Sequence, residues 1–345
     1  MLPPLPLVCV VMKRYRVHWV RRVLECVLIF CVVSCVIVGV MARVLDNGVF
    51  VSARWPSQMY DDVPPFMELK GGESITIAVD SEFEDLGVEA YDYWSEMTLV
   101  VEGEVDTTQV GEYELKYIAT DENGNRAEIV RTVNVIEPTG RIYLTFDDGP
   151  SDFTGALLDL LKKYGVRATF FVTGYGDDAL IRREYDEGHA VGLHTFSHVY
   201  ANVYTSVDSY IADLNAVQDR VQRITGEPSK LLRFPGGSSN LISARYDGGV
   251  KIMSQLVGLI TERGLTYFDW NVDSGDAGGA STSDEVYANV INTLKVGGDS
   301  IVLQHDIKSH SVDAVEKIVQ YGLEHGYVFD RLKPNSFTAH HGINN

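Results

Sequence analysis

The stretch IYLTFDDGP, residues 142–150, is the most informative part of this 345-residue chain. It begins as an apolar, strand-like run and ends in two adjacent carboxylates, Asp147 and Asp148, before a Gly-Pro pair that breaks regular structure. Because neighbouring like charges repel, the pair needs a compensating cation. Taken alone, the pattern fits either a solvated turn or a site in which one carboxylate binds a metal and the other moves a proton.

Strand-like and helix-like runs alternate from this stretch onward. Helical patterns such as 156–164 and 206–224 separate six apolar runs, at 142–146, 168–172, 190–193, 231–234, 265–268 and 300–304. This alternation predicts a parallel sheet, and the number of units predicts an α/β fold with a (β/α) barrel.

Polar side chains recur where these apolar runs end. They are Asp147, Asp148, His194, Arg233, Asp269, Asp273 and His305. The carboxyl ends of barrel strands surround the active site, so this recurrence indicates one shared site. His194 and His198 are four residues apart, and with Asp148 they form a set of two imidazoles and one carboxylate. Such a set is typical of a catalytic zinc site and also of iron(II) oxygenases.

Five motifs resemble, in order, those of the polysaccharide deacetylases, the NodB-like carbohydrate esterases of family 4. They are TFDDGP at 145–150, HTFSH at 194–198, RFPGG at 233–237, DSGD at 273–276 and IVLQHD at 301–306. The resemblance covers about residues 140–330. It implies a distorted barrel that removes N-acetyl or O-acetyl groups from sugars.

The resemblance also implies roles for the polar residues. Asp148, His194 and His198 look like ligands of a divalent metal, with Zn²⁺ expected first and Co²⁺, Ni²⁺ or Mn²⁺ as alternatives. Such an ion activates the acetamide carbonyl and water. Asp147 resembles the general base, and Arg233 resembles the arginine that orients it.

The remaining motif residues complete this implied site. The amide of Gly236, after Pro235, matches the family's oxyanion donor. His305 resembles the general acid, Asp276 would hold its imidazole, and Leu303 would line the pocket for the acetyl methyl group.

The chain departs from the family pattern in two motifs. Ala277 stands where a Trp is common, so Trp270 is a candidate to form the groove wall that this Trp would otherwise provide. The same departure leaves Asp273 as an alternative to Asp276. Gly236 stands where an aromatic residue is common, which predicts a more open groove for bulkier glycans.

Residues 64–137 alternate between polar and apolar positions, with Gly, Asp and Asn turns between the runs. This pattern predicts a small, antiparallel all-β sandwich. The segments 83–92, 105–113 and 119–127 resemble bacterial immunoglobulin-like surface domains, which implies a spacer or adhesion unit.

The N-terminal region carries six basic residues and a single acidic one within residues 1–43. An apolar run at 23–43 predicts a transmembrane helix, and the basic cluster before it predicts a cytoplasmic N-terminus and extracellular C-terminal domains. A cleaved signal peptide or a lipoprotein box at 32–35 would be the alternatives. All four cysteines precede residue 41, so no disulfide is expected in the globular part.

The expected organisation divides the chain into six parts. They are a cytoplasmic basic segment at 1–22, the anchor at 23–43, a linker at 44–63, the sandwich at 64–137, the deacetylase domain at 140–335 and a tail at 336–345. In the tail, His340 and His341 are expected to be solvated, whereas His189 is expected to pack within the protein.

The formal net charge of −19 excludes a nucleic-acid partner. Together, the motifs and the N-terminal apolar run lead to the hypothesis of a membrane-anchored, metal-dependent deacetylase of cell-wall polysaccharide, with peptidoglycan N-acetylglucosamine as its substrate. The alternatives are an exopolysaccharide, chitin-like or O-acetyl xylan substrate, or a catalytically silent glycan-binding surface protein.

Overall fold

A computed structural model of the chain describes residues 61–345. The predicted anchor at 23–43 and most of the predicted linker lie outside the described residues. Within residues 61–345, none of the helices is long and apolar enough to span a membrane.

Contacts divide the described chain into two compact units. The first contains residues 61–68, 88–102 and 116–129, and the second contains 69–87, 103–115 and 130–345. The two longest strands of the N-terminal part therefore run through both units. The domain boundaries proposed from the sequence stay a prediction.

Six strands follow one another between residues 61 and 137. They are β1 (Phe66–Leu69), β2 (Ser74–Ala78), β3 (Val88–Tyr91), β4 (Met97–Glu102), β5 (Gly111–Asp121) and β6 (Arg126–Ile136). They form a two-stranded sheet of β1 and β3 and a four-stranded sheet in the order β2-β6-β5-β4. Along β6 buried positions alternate with more exposed ones, as expected for a strand with a single core-facing side.

The prediction of a purely antiparallel arrangement was wrong for one strand pair. Strands β4 and β5 are antiparallel, but β2 pairs with β6 in parallel register, with Ile75 opposite Val133. The alternation of apolar and polar side chains shows which face of a strand is buried. It does not show whether the neighbouring strand is parallel or antiparallel, because that depends on the path of the chain between the two strands.

The remainder of the chain alternates strands and helices. The strands are β7 (Gly140–Asp147), β8 (Thr169–Val172), β9 (Ala190–Leu193), β10 (Leu231–Leu232), β11 (Thr266–Tyr267), β12 (Val272–Asp273), β13 (Asp299–His305) and β14 (Tyr327–Phe329). The helices are α1 (Thr154–Lys163), α2 (Asp178–Asp186), α3 (Tyr200–Val203), α4 (Val207–Thr225), α5 (Ile252–Glu262), α6 (Ser283–Ile291) and α7 (Ser309–Glu324), with a short 3₁₀ helix at Ser243–Arg245.

These strands form one parallel sheet in the order β11-β10-β9-β8-β7-β13-β12, and β14 pairs with the start of β7. Within the described residues the two terminal strands, β11 and β12, do not pair with each other. The predicted parallel α/β architecture is therefore confirmed, but the sheet is an incomplete barrel.

Strand β7 is buried along nearly its whole length because both of its faces are covered. Ile142, Leu144 and Phe146 belong to the large core that also contains the helix side chains. Tyr143 points to the other face and packs in a smaller cluster with residues such as Phe171. Because the core holds this strand on both faces, the carboxylates at its end have a well-defined position.

Helix α4 shows why the sequence folds locally as it does. The side chain of Ser206 accepts a hydrogen bond from the amide of Ser209 at the helix start, and Gly226 ends the helix in the left-handed conformation at φ 94°. Buried side chains recur at helical spacing, among them Tyr210, Leu214 and Val217. This amphipathic pattern is the one that predicted the helix.

Residues 69–87 belong to the same compact unit as the α/β sheet. Within this unit, the guanidinium of Arg331 donates hydrogen bonds to Glu84 Oε2 at 2.6 Å and to the carbonyl of Gly188 at 3.0 Å. A Cβ atom on Gly72 would lie 2.6 Å from the carbonyl oxygen of Lys162. The segment therefore packs closely on the α/β fold.

Candidate active site

The register of the parallel sheet brings the candidate site residues together. His305, the last residue of β13, lies directly opposite Asp147, the last residue of β7. His194 follows the end of β9, and Arg233 follows the end of β10. The carboxyl ends of these strands lie at one edge of the sheet, as the sequence predicted.

Asp147 is buried and is held by a buried arginine. Nη1 of Arg233 donates a hydrogen bond to Asp147 Oδ1 at 2.8 Å and another to the Thr145 hydroxyl at 2.6 Å. The same guanidinium donates to the carbonyls of Phe268 and Asp269, each at 3.1 Å. Arg233 is therefore fixed by four acceptors, and its charge balances that of Asp147.

Asp148 faces two imidazoles instead of the arginine. Its Oδ1 atom lies 3.5 Å from His194 Nε2 and 3.3 Å from His198 Nε2. All three potential ligand atoms lie within 4.8 Å of one another. Asp148 Oδ1 is buried and accepts no hydrogen bond from the described residues, so it needs a cation. The set therefore fits a divalent metal bound by two nitrogens and one oxygen.

The side chain of His194 is oriented for this role by its second nitrogen. Its Nδ1 atom lies 2.8 Å from the carbonyl oxygen of Arg233, so Nδ1 carries the proton and donates it to that oxygen. Burial lowers the pKa of His194 despite the opposing charge of Asp147. The imidazole is thus neutral, and its Nε2 lone pair is directed toward Asp148.

The backbone at this site is unusual. Five non-glycine residues in the described chain have a positive φ, and three of them are Asp148 at 74°, Thr195 at 65° and His198 at 49°. Such conformations cost free energy and are concentrated at functional sites. Two candidate ligands are therefore held in backbone geometries that the surrounding fold imposes.

His305 is anchored on the opposite side of the cleft by Asp276. Its Nδ1 lies 2.9 Å from Asp276 Oδ1, and its backbone amide donates to Asp276 Oδ2 at 2.7 Å. Burial opposes protonation of His305, but the bond to Asp276 and the charges of Asp147 and Asp148 outweigh it and raise its pKa to about 9.

Asp273, the alternative partner for His305, lies elsewhere. It is exposed, and its Oδ1 accepts a hydrogen bond from the amide of Gly275 at 2.8 Å. The structure therefore places Asp276, and not Asp273, against the imidazole of His305.

The remaining predicted residues line one cleft of about 720 Å³. Gly236, Leu303 and Trp270 all contribute to its walls, together with Ala277. Pro235 lies beneath the surface, and its carbonyl oxygen accepts a hydrogen bond from the Tyr204 hydroxyl at 2.8 Å.

The more open groove predicted at Gly236 stays a prediction. A Cβ atom on Gly236 would lie 3.1 Å from the Tyr200 hydroxyl, so Tyr200 lies next to the space left by the small residue. The sequence motifs did not point to Tyr200. Its position two residues after His198 was the only available signal, because the close approach of two distant segments is not visible in a linear pattern.

A second residue with a supporting role is Asp269. Its buried carboxylate accepts a hydrogen bond from the amide of Ser238 at 2.7 Å and another from the amide of His341 at 2.9 Å. It therefore links the turn after Gly236 to the C-terminal segment. The sequence marked Asp269 as a strand-end residue but predicted no partner for it.

The prediction of solvated tail histidines was wrong for His341, which is half-buried, whereas His340 is exposed although its ring has a partner. The ring of His340 stacks on Tyr267 with centroids 3.9 Å apart, and His341 donates from Nε2 to the carbonyl of Trp270 at 2.6 Å. The tail carries few apolar residues, and its packing depends on carbonyls that only the folded sheet presents. His189 is buried, as expected, and its Nδ1 accepts a hydrogen bond from the amide of Ala168 at 3.0 Å.

A parallel α/β sheet that carries a candidate metal set between a carboxylate and an imidazole is an arrangement suited to metal-assisted hydrolysis. Comparison with known proteins agrees with this class. Residues 134–248 match the polysaccharide deacetylase family, and residues 67–135 match the Ig-like domain of bacterial surface proteins.

Characterised relatives support the same family. A peptidoglycan-N-acetylglucosamine deacetylase of Bacillus cereus is 33% identical over 56% of this chain and 70% of its own length. A chitin deacetylase of Colletotrichum lindemuthianum is 34% identical over 54% of this chain and 76% of its own length.

Solved structures agree. The catalytic domain of a peptidoglycan N-acetylglucosamine deacetylase from Eubacterium rectale is 46% identical, with a TM-score of 0.58, and the match covers 59% of this chain and 94% of that domain. The chain belongs to the polysaccharide deacetylase family and is a hydrolase, as the motifs predicted.

Proposed function

We propose that this protein removes N-acetyl groups from bacterial cell-wall glycan, with N-acetylglucosamine of peptidoglycan as the substrate. The observation that supports this reaction is the pairing of Asp147 with Arg233 on one side of the cleft and of His305 with Asp276 on the other. The substrate is supported by the relatives from Bacillus cereus and Eubacterium rectale, which are named as peptidoglycan N-acetylglucosamine deacetylases.

The two pairs divide the proton transfers of amide hydrolysis between them. A water oxygen bonds to the carbonyl carbon, the π electron pair moves onto the carbonyl oxygen, and Asp147 takes the proton that the water loses. The C–N bond then breaks with its electron pair on nitrogen, and His305 protonates that nitrogen. The products are acetic acid, which loses its proton to solvent and becomes acetate, and a free amine, and solvent returns the proton from Asp147 to His305.

Asp148, His194 and His198 would hold a divalent metal, for which we propose Zn²⁺. When bound, such an ion would supply Lewis-acid activation of the carbonyl and of water. Two neutral imidazoles and one carboxylate suit Zn²⁺, and Co²⁺, Ni²⁺ and Mn²⁺ are alternatives. Elemental analysis of the purified full chain, followed by chelation and reconstitution with each metal, distinguishes them.

Acetate release tests the function and the substrate together. The full chain is incubated with peptidoglycan, chitooligosaccharide and acetylated xylan, with added Zn²⁺ or after chelation. We expect acetate from peptidoglycan, loss of activity on chelation and recovery with metal. Preferential release from another glycan would change the substrate, and no release from any glycan by the metal-loaded protein would favour a binding protein.

Replacing the base should separate metal binding from turnover. In Asp147→Asn, the amide cannot accept the proton of the attacking water, so we expect acetate release to be abolished while elemental analysis finds the metal content unchanged. Asp219→Asn is the matched control, since Asp219 is an exposed residue of α4. Retained turnover in Asp147→Asn would remove Asp147 from the role of base.

We also propose that residues 23–43 anchor the protein in the membrane, with the enzyme domain outside the cell. The apolar run and the basic cluster before it support this location. Membrane fractionation, combined with protease accessibility of the C-terminal domain in intact cells, tests it. Recovery of the full-length protein in the soluble fraction would contradict the anchor.

A further inference from the structure

The inference concerns Tyr200, the first residue of α3. Its ring lies between two aromatic neighbours, with centroids 5.5 Å from the ring of His198 and 5.8 Å from the ring of Tyr204. Tyr204 is fully buried, and its hydroxyl donates to the carbonyl of Pro235. The same aromatic cluster therefore positions both the ring of Tyr200 and the turn that leads into Gly236.

The hydroxyl of Tyr200 is an unused hydrogen-bond donor. Tyr200 is half-buried and lines the cleft together with Asp147 and Asp148. Its hydroxyl makes no hydrogen bond to any other residue in the part of the chain that the structure describes. A phenol that faces a cleft without a protein partner is available to a substrate atom.

The backbone amide of Gly236 is a second free donor beside it. Among residues 61–345 no group accepts a hydrogen bond from this amide, whereas the next amide, of Gly237, donates to the carbonyl of Phe234 at 2.8 Å. Gly236 has φ 77°, and a Cβ atom there would lie 3.1 Å from the Tyr200 hydroxyl. A residue with a side chain would therefore be strained at this position and would crowd that hydroxyl.

We propose that the Tyr200 hydroxyl is a second oxyanion donor of this enzyme, in addition to the Gly236 amide that the family resemblance already implies for that role. Tyr200 and Gly236 line the same cleft as the base Asp147, and the Tyr200 hydroxyl lies close to Gly236, 3.1 Å from where a Cβ atom on that residue would be. When the water oxygen bonds to the carbonyl carbon, negative charge develops on the carbonyl oxygen, and both donors stabilise it. Tyr200 keeps its proton throughout, so the transfers through Asp147 and His305 are unchanged. This inference rests on the proposed amide hydrolysis.

The test uses Tyr200→Phe, which keeps the ring packing and removes only the hydroxyl. We expect kcat for acetate release to fall by about 100- to 1,000-fold, with KM nearly unchanged, because the lost donor acts on the oxyanion and not on the ground-state substrate. Tyr246→Phe is the matched control, since Tyr246 is exposed outside the cleft. Metal content and thermal midpoint are measured for each variant, and we expect them to match those of the wild type.

A binding measurement gives a readout that does not depend on turnover. A methylphosphonamidate analogue of an N-acetylglucosamine oligomer carries a tetrahedral, anionic centre, whereas the deacetylated oligomer does not. We expect Tyr200→Phe to weaken binding of the analogue by a factor similar to its loss of kcat and to leave binding of the deacetylated oligomer unchanged.

The outcomes separate this inference from the proposed function. If the wild type is active and Tyr200→Phe has the same kcat and the same affinity for the analogue as the wild type, the oxyanion role of Tyr200 is overturned. The proposed function is not affected by that result. A higher KM in Tyr200→Ala, with Tyr200→Phe indistinguishable from wild type, would make Tyr200 a groove wall and would also overturn it. A metal-loaded wild type that releases no acetate would contradict the proposed function and this inference with it.

Discussion

Two adjacent carboxylates, Asp147 and Asp148, remain distinct because different groups surround them. Arg233 binds Asp147 Oδ1 at 2.8 Å, while the Nε2 atoms of His194 and His198 lie 3.5 and 3.3 Å from Asp148 Oδ1. His194 lies close to both carboxylates, since its Nε2 is also 3.7 Å from Asp147 Oδ2, but only Asp147 binds Arg233. Arg233 balances the charge of Asp147, and a bound divalent metal would balance that of Asp148.

Arg233→Met should be strongly destabilising. The substitution removes a fully buried guanidinium and leaves the carboxylate of Asp147 buried without its ion pair, so we expect a loss of about 3–5 kcal/mol in the free energy of unfolding. Urea denaturation of the full chain measures it.

Arg223→Met is the control for this substitution. Arg223 pairs with Asp178 at 2.9 Å, but its side chain is 65% exposed. We expect it to cost about 1 kcal/mol or less, because exposed ion pairs contribute little. Similar losses for the two variants would argue against the importance of the buried pair.

At the scale of structural elements, the loop after β7 is fitted against the segment after β13. Asp306 is buried, and its Oδ2 accepts a hydrogen bond from the Thr154 hydroxyl, while its carbonyl accepts one from the Ser151 hydroxyl at 2.7 Å. Burial raises the pKa of Asp306 to about 7. These contacts join the loop that follows Asp147 and Asp148 to the strand that ends at His305.

Gly149→Ala should disrupt this junction. A Cβ atom on Gly149 would lie 2.3 Å from both carboxylate oxygens of Asp306, which is too close for any real contact. The loop must therefore move, and we expect both a loss of stability and a large loss of kcat, measured by thermal unfolding and acetate release.

Gly258→Ala provides the matched comparison. Gly258 lies within α5, and a Cβ atom there meets nothing within 4 Å. We expect a gain of about 0.5–1 kcal/mol in stability, because alanine favours a helix more than glycine does, and unchanged activity. If Gly149→Ala behaved like Gly258→Ala, the close fit of the loop would not matter for the site.

At the scale of the whole molecule, the compact unit that contains the parallel sheet extends beyond the segment that carries the deacetylase motifs. Residues 69–87 belong to it, and the guanidinium of Arg331 binds this segment through Glu84. His189 is buried in the same unit beside Arg167, Arg331 and Arg183. Charged and titratable groups inside this unit therefore link its stability to pH.

His189 should make the protein sensitive to acid. Burial, and then the nearby arginines, lower its pKa from 6.5 to about 3 in the folded state. As pH falls below 6.5, His189 binds a proton in the unfolded chain but not in the folded chain. The free energy of unfolding therefore decreases between about pH 6.5 and pH 3. The slope approaches about 1.4 kcal/mol per pH unit.

His189→Asn should flatten this dependence. The amide oxygen of asparagine can replace Nδ1 as the acceptor for the amide of Ala168, but it does not titrate. His325→Asn, at an exposed helix end, is the control and should leave the slope unchanged. Urea denaturation between pH 4 and pH 7 measures the effect, and an unchanged slope in His189→Asn would show that another group is responsible.

The sequence alone determined the parallel α/β class, the immunoglobulin-like module and the residues that gather at the site. Each of these depends on information that is local in the chain. Alternating apolar periods mark strands and helices, and the carboxyl ends of parallel strands lie together, so Asp147, His194, Arg233 and His305 could be assigned to one place before any contact was known.

Only the tertiary structure decided the incomplete barrel, the parallel pairing of β2 with β6, the packing of His340 and His341, and the position of Tyr200 over Gly236. All of these are approaches between segments that are distant in sequence or differ in direction. Hydrophobic periodicity specifies which side of an element is buried but not which neighbour buries it, so it cannot determine them.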